Sequence, residues 1–160
     1  MKVGVLLPSR FEDPGEFLAD ARAMEAAGVD SIWMEDGDGY DPMLALAAIA
    51  AVTGKVRLGL IVPDSPSPAA DGLGRGFETL QHLSRERAIT GVSQGGKIES
   101  GIEKWRRVEV PADRDAWART LEQSHPDFDG VVVPLDPRLL DILRHPEDAI
   151  DRSDLQLAQG

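Results

Sequence analysis

The chain has 160 residues, enough for one domain with a substantial core. Its formal net charge of -11 repels phosphate backbones and anionic bilayers, so neither nucleic acid nor a membrane is an expected partner. It has no cysteine, which excludes disulfides, thiolate chemistry and cysteine-ligated metals.

Lys2 to Leu7 is a short apolar run, as in a strand buried on both faces. Met1 leads straight into it with no basic or apolar leader pattern, so the expected location is cytoplasmic. Asp13-Pro14-Gly15-Glu16 is a helix start, with Asp13 as cap and Pro14 at the first helical position. Phe17, Leu18, Ala21 and Met24 then recur at helical spacing, and Gly28 ends the helix. Ser31 to Met34 reads as a second strand and Glu35 to Tyr40 as a loop. Asp41-Pro42 opens a second helix, Met43 to Val52, which is apolar all round and predicted to be buried in a core or a subunit interface. Val56 to Val62 is the third strand.

Pro63 to Gly76 reads as a long loop, followed by a short helix ending near Ser84. Ala88 to Val92 is a fourth strand, and Ser93 to Gly96 a turn. Trp105 to Val110 alternates like a strand. Asp113 caps a helix carrying Ala116, Trp117, Thr120 and Leu121. Gly130 to Val133 is a short buried strand, and Asp136-Pro137 opens a last helix with Leu139, Leu140 and Leu143 inward. Residues 1–146 are read as a single (β/α) domain and 147–160 as a polar tail. The alternation argues an α/β fold with a mainly parallel sheet and right-handed crossovers. It opens like a (β/α) barrel, yet a full barrel usually needs about 250 residues. The expected architecture is therefore a truncated or compacted TIM-barrel-like fold, with strands missing and sheet edges left open.

Several of these segments carry a resemblance. Gly28 to Glu35, Asp41 to Thr53, Val56 to Val62 and Glu78 to Gly91, in that order, resemble the bacterial luciferase-like monooxygenases, which include deazaflavin-dependent oxidoreductases. Phe128 to Pro134 is a looser match. The resemblance implies a (β/α)8 barrel, commonly dimeric through its early helices. It implies FMN or a deazaflavin (coenzyme F420) at the C-terminal ends of the strands, and oxidation of a small organic molecule. The chain departs from the pattern in three ways. Asp36 stands where the family often has His, the middle of the barrel after Gly96 is shortened, and the later phosphate-binding loops are not recognisable. A shortened flavin-dependent oxidoreductase is the first reading, and a catalytically degenerate scaffold that binds a partner is the second. A homodimer through the helix Met43 to Val52 is expected in either.

Candidate site residues follow from position. Asp36, Asp38 and Tyr40 succeed the second strand, on the end where barrel enzymes place their sites, and can line a substrate or do acid–base work. The plain alternative is a solvated acidic turn. Arg10 follows the first strand and can meet a flavin phosphate or a substrate anion, or simply sit in a surface ion pair. Ser93-Gln94-Gly95-Gly96-Lys97 can cradle a phosphate through converging backbone N–H groups, or be only a turn. His82, His125 and His145 have no metal-ligand spacing, and no metal site is expected. Trp33, Trp105 and Trp117 are expected in the core, with Trp33 also a candidate for stacking on a flavin ring.

Overall fold

The computed structural model describes residues 1–64, 70–123 and 126–143. The expected tail (147–160), His125 and His145 lie outside them. In chain order the elements are β1 (Lys2–Leu6), α1 (Pro14–Ala26), β2 (Ser31–Glu35), α2 (Pro42–Val52), β3 (Arg57–Pro63), α3 (Ala70–Ser84), β4 (Ala88–Gln94), β5 (Lys97–Ser100), β6 (Glu103–Arg107), α4 (Arg114–Glu122), β7 (Gly130–Pro134) and α5 (Leu139–Leu143).

The seven strands close into a barrel in sequence order. Six run parallel, and β1 pairs with β7 through Lys2↔Gly130 to Leu6↔Pro134. The open edges expected from the sequence are therefore absent. The closing piece is β5, which pairs antiparallel with both β4 and β6 and was not anticipated. Its connections explain how so short a chain closes. Gly95 and Gly96 turn the chain at φ 55° and 79°, and Gly101 turns it back at φ 61°. Two tight turns replace two crossover helices, because antiparallel neighbours need only a hairpin connection. None of the described helices covers the outer face of this hairpin, and Lys97, Glu99, Lys104 and Arg106 are exposed there.

Elsewhere the helices cover the barrel, and their starts follow the predicted chemistry. The Asp13 carboxylate accepts from the N–H groups of Gly15 (2.7 Å) and Glu16 (3.3 Å), and Asp41 accepts from Met43 (2.8 Å) and Leu44 (3.2 Å). Asp113 accepts from Ala116 N–H at 2.7 Å. Gly28 takes φ 82°, the left-handed end that the C-terminus of α1 requires. α3 starts at Ala70, so the long loop expected to reach Gly76 is shorter. α2 buries Ala45, Leu46, Ile49 and Ala50 but leaves Leu44 72% exposed, so it is not buried on every side within this chain.

Two side chains tie the N-terminal ends of the strands to these helices. Arg87 donates to the carbonyls of Ala50, Thr53, Val56 and Ser84 and to the Thr53 hydroxyl. It thereby satisfies carbonyls at the end of α2 that the helix cannot bond itself. The Glu25 carboxylate accepts from the N–H groups of Gly54, Lys55 and Val56. Burial alone would raise the Glu25 pKa; the three N–H groups and Arg87 outweigh it and hold it below its ordinary value.

Two cores result. One lies between barrel and helices, with Val5, Phe17, Met24, Ile32, Met34, Leu46, Ile49 and Trp117 among its members. The other fills the barrel itself: Trp33, Ile61, Ile98, Trp105 and Val132. The two indoles meet edge to face at 5.5 Å and fit because glycines surround them. A Cβ on Gly4 would lie 2.6 Å from Trp33, one on Gly59 2.1 Å from Trp33, and one on Gly130 2.5 Å from Trp105. The seven-stranded cylinder is thus packed solid by two large side chains against small ones. Trp33 is wholly buried there, which rules out its stacking on a bound flavin. At the N-terminal end Glu103 pairs with Lys2 and with Arg57 (3.0 Å), and the Arg57 guanidinium lies 5.5 Å from the Trp105 ring centre.

Candidate active site

Because the interior is full, the site belongs to the rim at the C-terminal ends of the strands. Side chains at positions 31, 33 and 35 of β2 share the inward face, as do 103, 105 and 107 of β6, by the two-residue period of a strand. Trp33 and Trp105 fill the middle. One step further along, the same alternation brings Glu35 and Arg107 to the top of the barrel. Arg107 Nη1 and Nη2 donate to the two Glu35 carboxylate oxygens at 3.1 and 2.5 Å, a bidentate pair. Arg107 Nη2 also donates to the Ser93 hydroxyl of β4 at 3.2 Å. Arg107 Nε is buried with no partner. Three strands far apart in sequence so deliver one polar cluster.

Beside it is a depression of about 280 Å³ lined by Leu6, Leu7, Pro8, Ser9, Glu35, Pro134 and Leu135. The loop after β1 leans on the loop after β2. Tyr40 N–H donates to the Ser9 carbonyl at 2.8 Å, and a Cβ on Gly39 would lie 2.3 Å from that oxygen. Only glycine permits this approach. Arg10 Nη2 donates to the Asp38 carbonyl at 2.5 Å, and its guanidinium sits 5.7 Å from the centre of the Tyr40 ring. Phe11 meets Tyr40 edge-on at 5.0 Å and stacks on Phe17 at 4.0 Å, so an aromatic ladder anchors this rim to α1.

The residues singled out in the sequence fall in three places. Arg10, Asp38 and Tyr40 come together on one side of the rim, with Asp36 at the root of the same loop, its N–H bound to the Ile61 carbonyl. Ser93 joins Glu35 and Arg107, while Gln94 donates to Asp64 at 2.7 Å. Gly95 and Gly96 form the β4–β5 turn. Lys97 lies on the outer wall, 5.9 Å from the Phe128 ring centre, in a separate depression with Glu99, Lys104 and Asp127. Arg10 lines yet another depression with Glu12, Asp13 and Glu16. Among the described residues no three His, Asp or Glu side chains are placed to hold a metal ion. None of the described helices is long and apolar enough to cross a membrane.

Sequence reasoning took Glu35 only as one carboxylate of the acidic stretch 35–41, behind Asp36, Asp38 and Tyr40, and passed over Arg107. The signal was available in part. Each is a charged residue two positions after a tryptophan on an alternating strand, so each had to face the barrel axis. That they meet depends on β6 lying across the barrel from β2, which no local pattern reports.

Solved structures resemble the chain at low identity. The chain is similar to the long-chain alkane monooxygenase LadA, with 14% identity, TM-score 0.50, and coverage of 76% of this chain and 36% of that one. It is also similar to the monooxygenase RslO1 from Streptomyces bottropensis, with 23% identity, TM-score 0.47, and coverage of 57% and 32%. A third is the coenzyme F420-dependent tetrahydromethanopterin reductase from Methanopyrus kandleri, with 21% identity, TM-score 0.49, and coverage of 74% and 29%. The matched regions span roughly a third of each of those chains. No curated protein matches the chain. The family is decided by the model for luciferase-like monooxygenases, which matches residues 1–148, so this chain is a member of that family.

Proposed function

We propose that this chain is a flavin- or deazaflavin-dependent oxidoreductase acting on a small organic molecule at the C-terminal mouth of its barrel. The observation that carries the reading is the Glu35–Arg107–Ser93 cluster, gathered from β2, β6 and β4 at the end where barrel enzymes place their chemistry. The residues fit such a cofactor in two respects. Ser93 at the end of β4 offers a hydroxyl to the polar edge of a flavin ring, and the exposed Arg10 would exchange its bonds to the Asp38 carbonyl and the Tyr40 ring for a phosphate at the rim. Ser93, steadied by Arg107, would hold the ring edge, and Arg10 the phosphate. The substrate would sit in the depression beside Glu35, with Asp36, Asp38 and Tyr40 on the adjoining loop that leans on Ser9 of its wall. The bound cofactor supplies the redox chemistry; the chain binds and orients.

A second reading, a scaffold that binds without turnover, is favoured by the depth of the mouth. Its depression of about 280 Å³ lies at the lower bound of ordinary small-molecule pockets, which run to about 1,000 Å³. The visible absorption spectrum separates the two. The purified chain is equilibrated with FMN or with a deazaflavin, and free cofactor is removed. A retained visible band supports the oxidoreductase; a folded chain retaining neither cofactor refutes it.

A homodimer through α2 belongs to the same proposal. Leu44 and the 56%-exposed Leu83 of α3 flank a groove of about 430 Å³, and a second copy would cover both. Sedimentation of the wild type and of Leu44→Glu tests it: a monomeric wild type refutes the pairing.

A further inference from the structure

We infer that Glu35 sets the specificity of the mouth: it selects a ligand with a protonated amine or other strong hydrogen-bond donor on a small apolar body, and turns away carboxylates. The inference rests on the mouth being the binding site, as in the function proposed above, and specifies the substrate class.

The argument begins with the walls of the depression. Leu6, Leu7, Pro8, Pro134 and Leu135 are apolar, and among the described residues Glu35 is the one charged residue lining it. Its side chain is 42% exposed and lines the pocket while its carboxylate holds the ion-pair partner. Arg107 takes one lone pair from each oxygen and is itself steadied by Ser93. A carboxylate offers about four lone-pair sites, so acceptor capacity remains on the side away from Arg107. The group is thereby fixed in orientation without being used up, which lowers the cost of ordering it around a ligand.

Among the described residues the neighbouring cations are directed elsewhere. Arg107 does not line the depression, and its forked end is spent on Glu35 and Ser93. Arg10, next to Ser9, turns to the Asp38 carbonyl and the Tyr40 ring. Arg138 is held by the Asp136 carboxylate at 3.0 Å. An incoming carboxylate would face Glu35 with no free cation among the described residues of the lining to offset it, whereas an ammonium group would complete a charge-assisted hydrogen bond.

The test is a titration of the isotope-labelled full chain with n-pentylamine, n-pentanol and n-pentanoate, following the backbone amides of Ser9, Glu35 and Leu135 by NMR. The amine should shift these amides saturably and the alcohol more weakly, while pentanoate leaves them in place at the same concentrations. Glu35→Gln should weaken amine binding about tenfold or more, the worth of one hydrogen bond to a charged group. Pentanoate binding as well as the amine, no site-specific shift with any of the three, or an unchanged amine affinity in a folded Glu35→Gln would each overturn the inference. If that variant fails to fold, the comparison of amine with carboxylate on the unaltered chain decides alone. Cofactor retention is scored separately. Amine selectivity without flavin retention removes only the oxidoreductase reading, and flavin retention without amine selectivity removes only this inference.

Discussion

Replacing Gly59 by alanine tests the account of the barrel interior, because a single methyl group should be costly there. Gly59 is not in a left-handed conformation, so alanine is compatible with its backbone. On strand propensity alone alanine should be neutral or slightly stabilising, since glycine weakens a strand interior. The packing says the opposite. The new Cβ would sit 2.1 Å from Trp33 Cε3 and 2.3 Å from Cδ2, where ordinary contact begins at 3.4 Å. The Trp33 ring cannot simply retreat. Gly4 hems in its Nε1 side, its Nε1–H is bonded to the buried Ser31 hydroxyl at 2.8 Å, and Trp105 closes another side. Forced overpacking of this kind costs about 1–3 kcal/mol, and the rigid surroundings place the expected loss at the upper end. Urea unfolding followed by far-ultraviolet circular dichroism measures it. Gly59→Ala combined with Trp33→Leu should cost less than the two single changes added together, since each relieves the other. A Gly59→Ala midpoint equal to wild type, or strict additivity in the double variant, would refute the picture of indoles seated against glycines.

The other predictions concern the ties around that interior. Arg87→Ala should destabilise the chain by about 2–4 kcal/mol in the same unfolding assay, because it strands carbonyls of Ala50, Thr53 and Val56, and Arg87→Lys should recover little of the loss. The Glu25 carboxyl lies below its ordinary value of 4.5, so the stability it contributes is complete above that pH and fades as the pH falls through its lower folded value. The acid-induced drop in unfolding midpoint should therefore be smaller in Glu25→Gln than in wild type; equal drops would count against the clamp on residues 54–56. Gly96→Ala forces a side chain into φ 79° at the turn before β5 and should cost about 1 kcal/mol or more, with hydrogen exchange of β5 amides accelerated ahead of those of β1 to β3.

Much of this molecule was legible in the sequence where the signal is local. Asp13, Asp41 and Asp113 announce helix starts because a capping carboxylate acts within three residues of itself. Lys2 to Leu7, Ser31 to Met34 and Gly130 to Val133 read as buried strands because short apolar runs need cover on both faces. Other features were misread or missed for identifiable reasons. The segment Lys97–Ser100 is too short and too charged to signal a strand, yet it is held in place by partners on both sides. Its charge reflects an outer face without a helix, which is a property of the barrel and not of the four residues.

The sequence by itself therefore determined the elements other than β5, their α/β alternation and the family, since capping, periodicity and ordered segment matches are all encoded within short stretches. Only the tertiary structure decided that the barrel closes with an antiparallel hairpin, that two indoles fill it, and that Glu35 and Arg107 meet at its mouth. Those outcomes depend on which strands become neighbours across the cylinder. Residues 72 positions apart came within 2.5 Å only when ring closure set the stagger of β2 against β6.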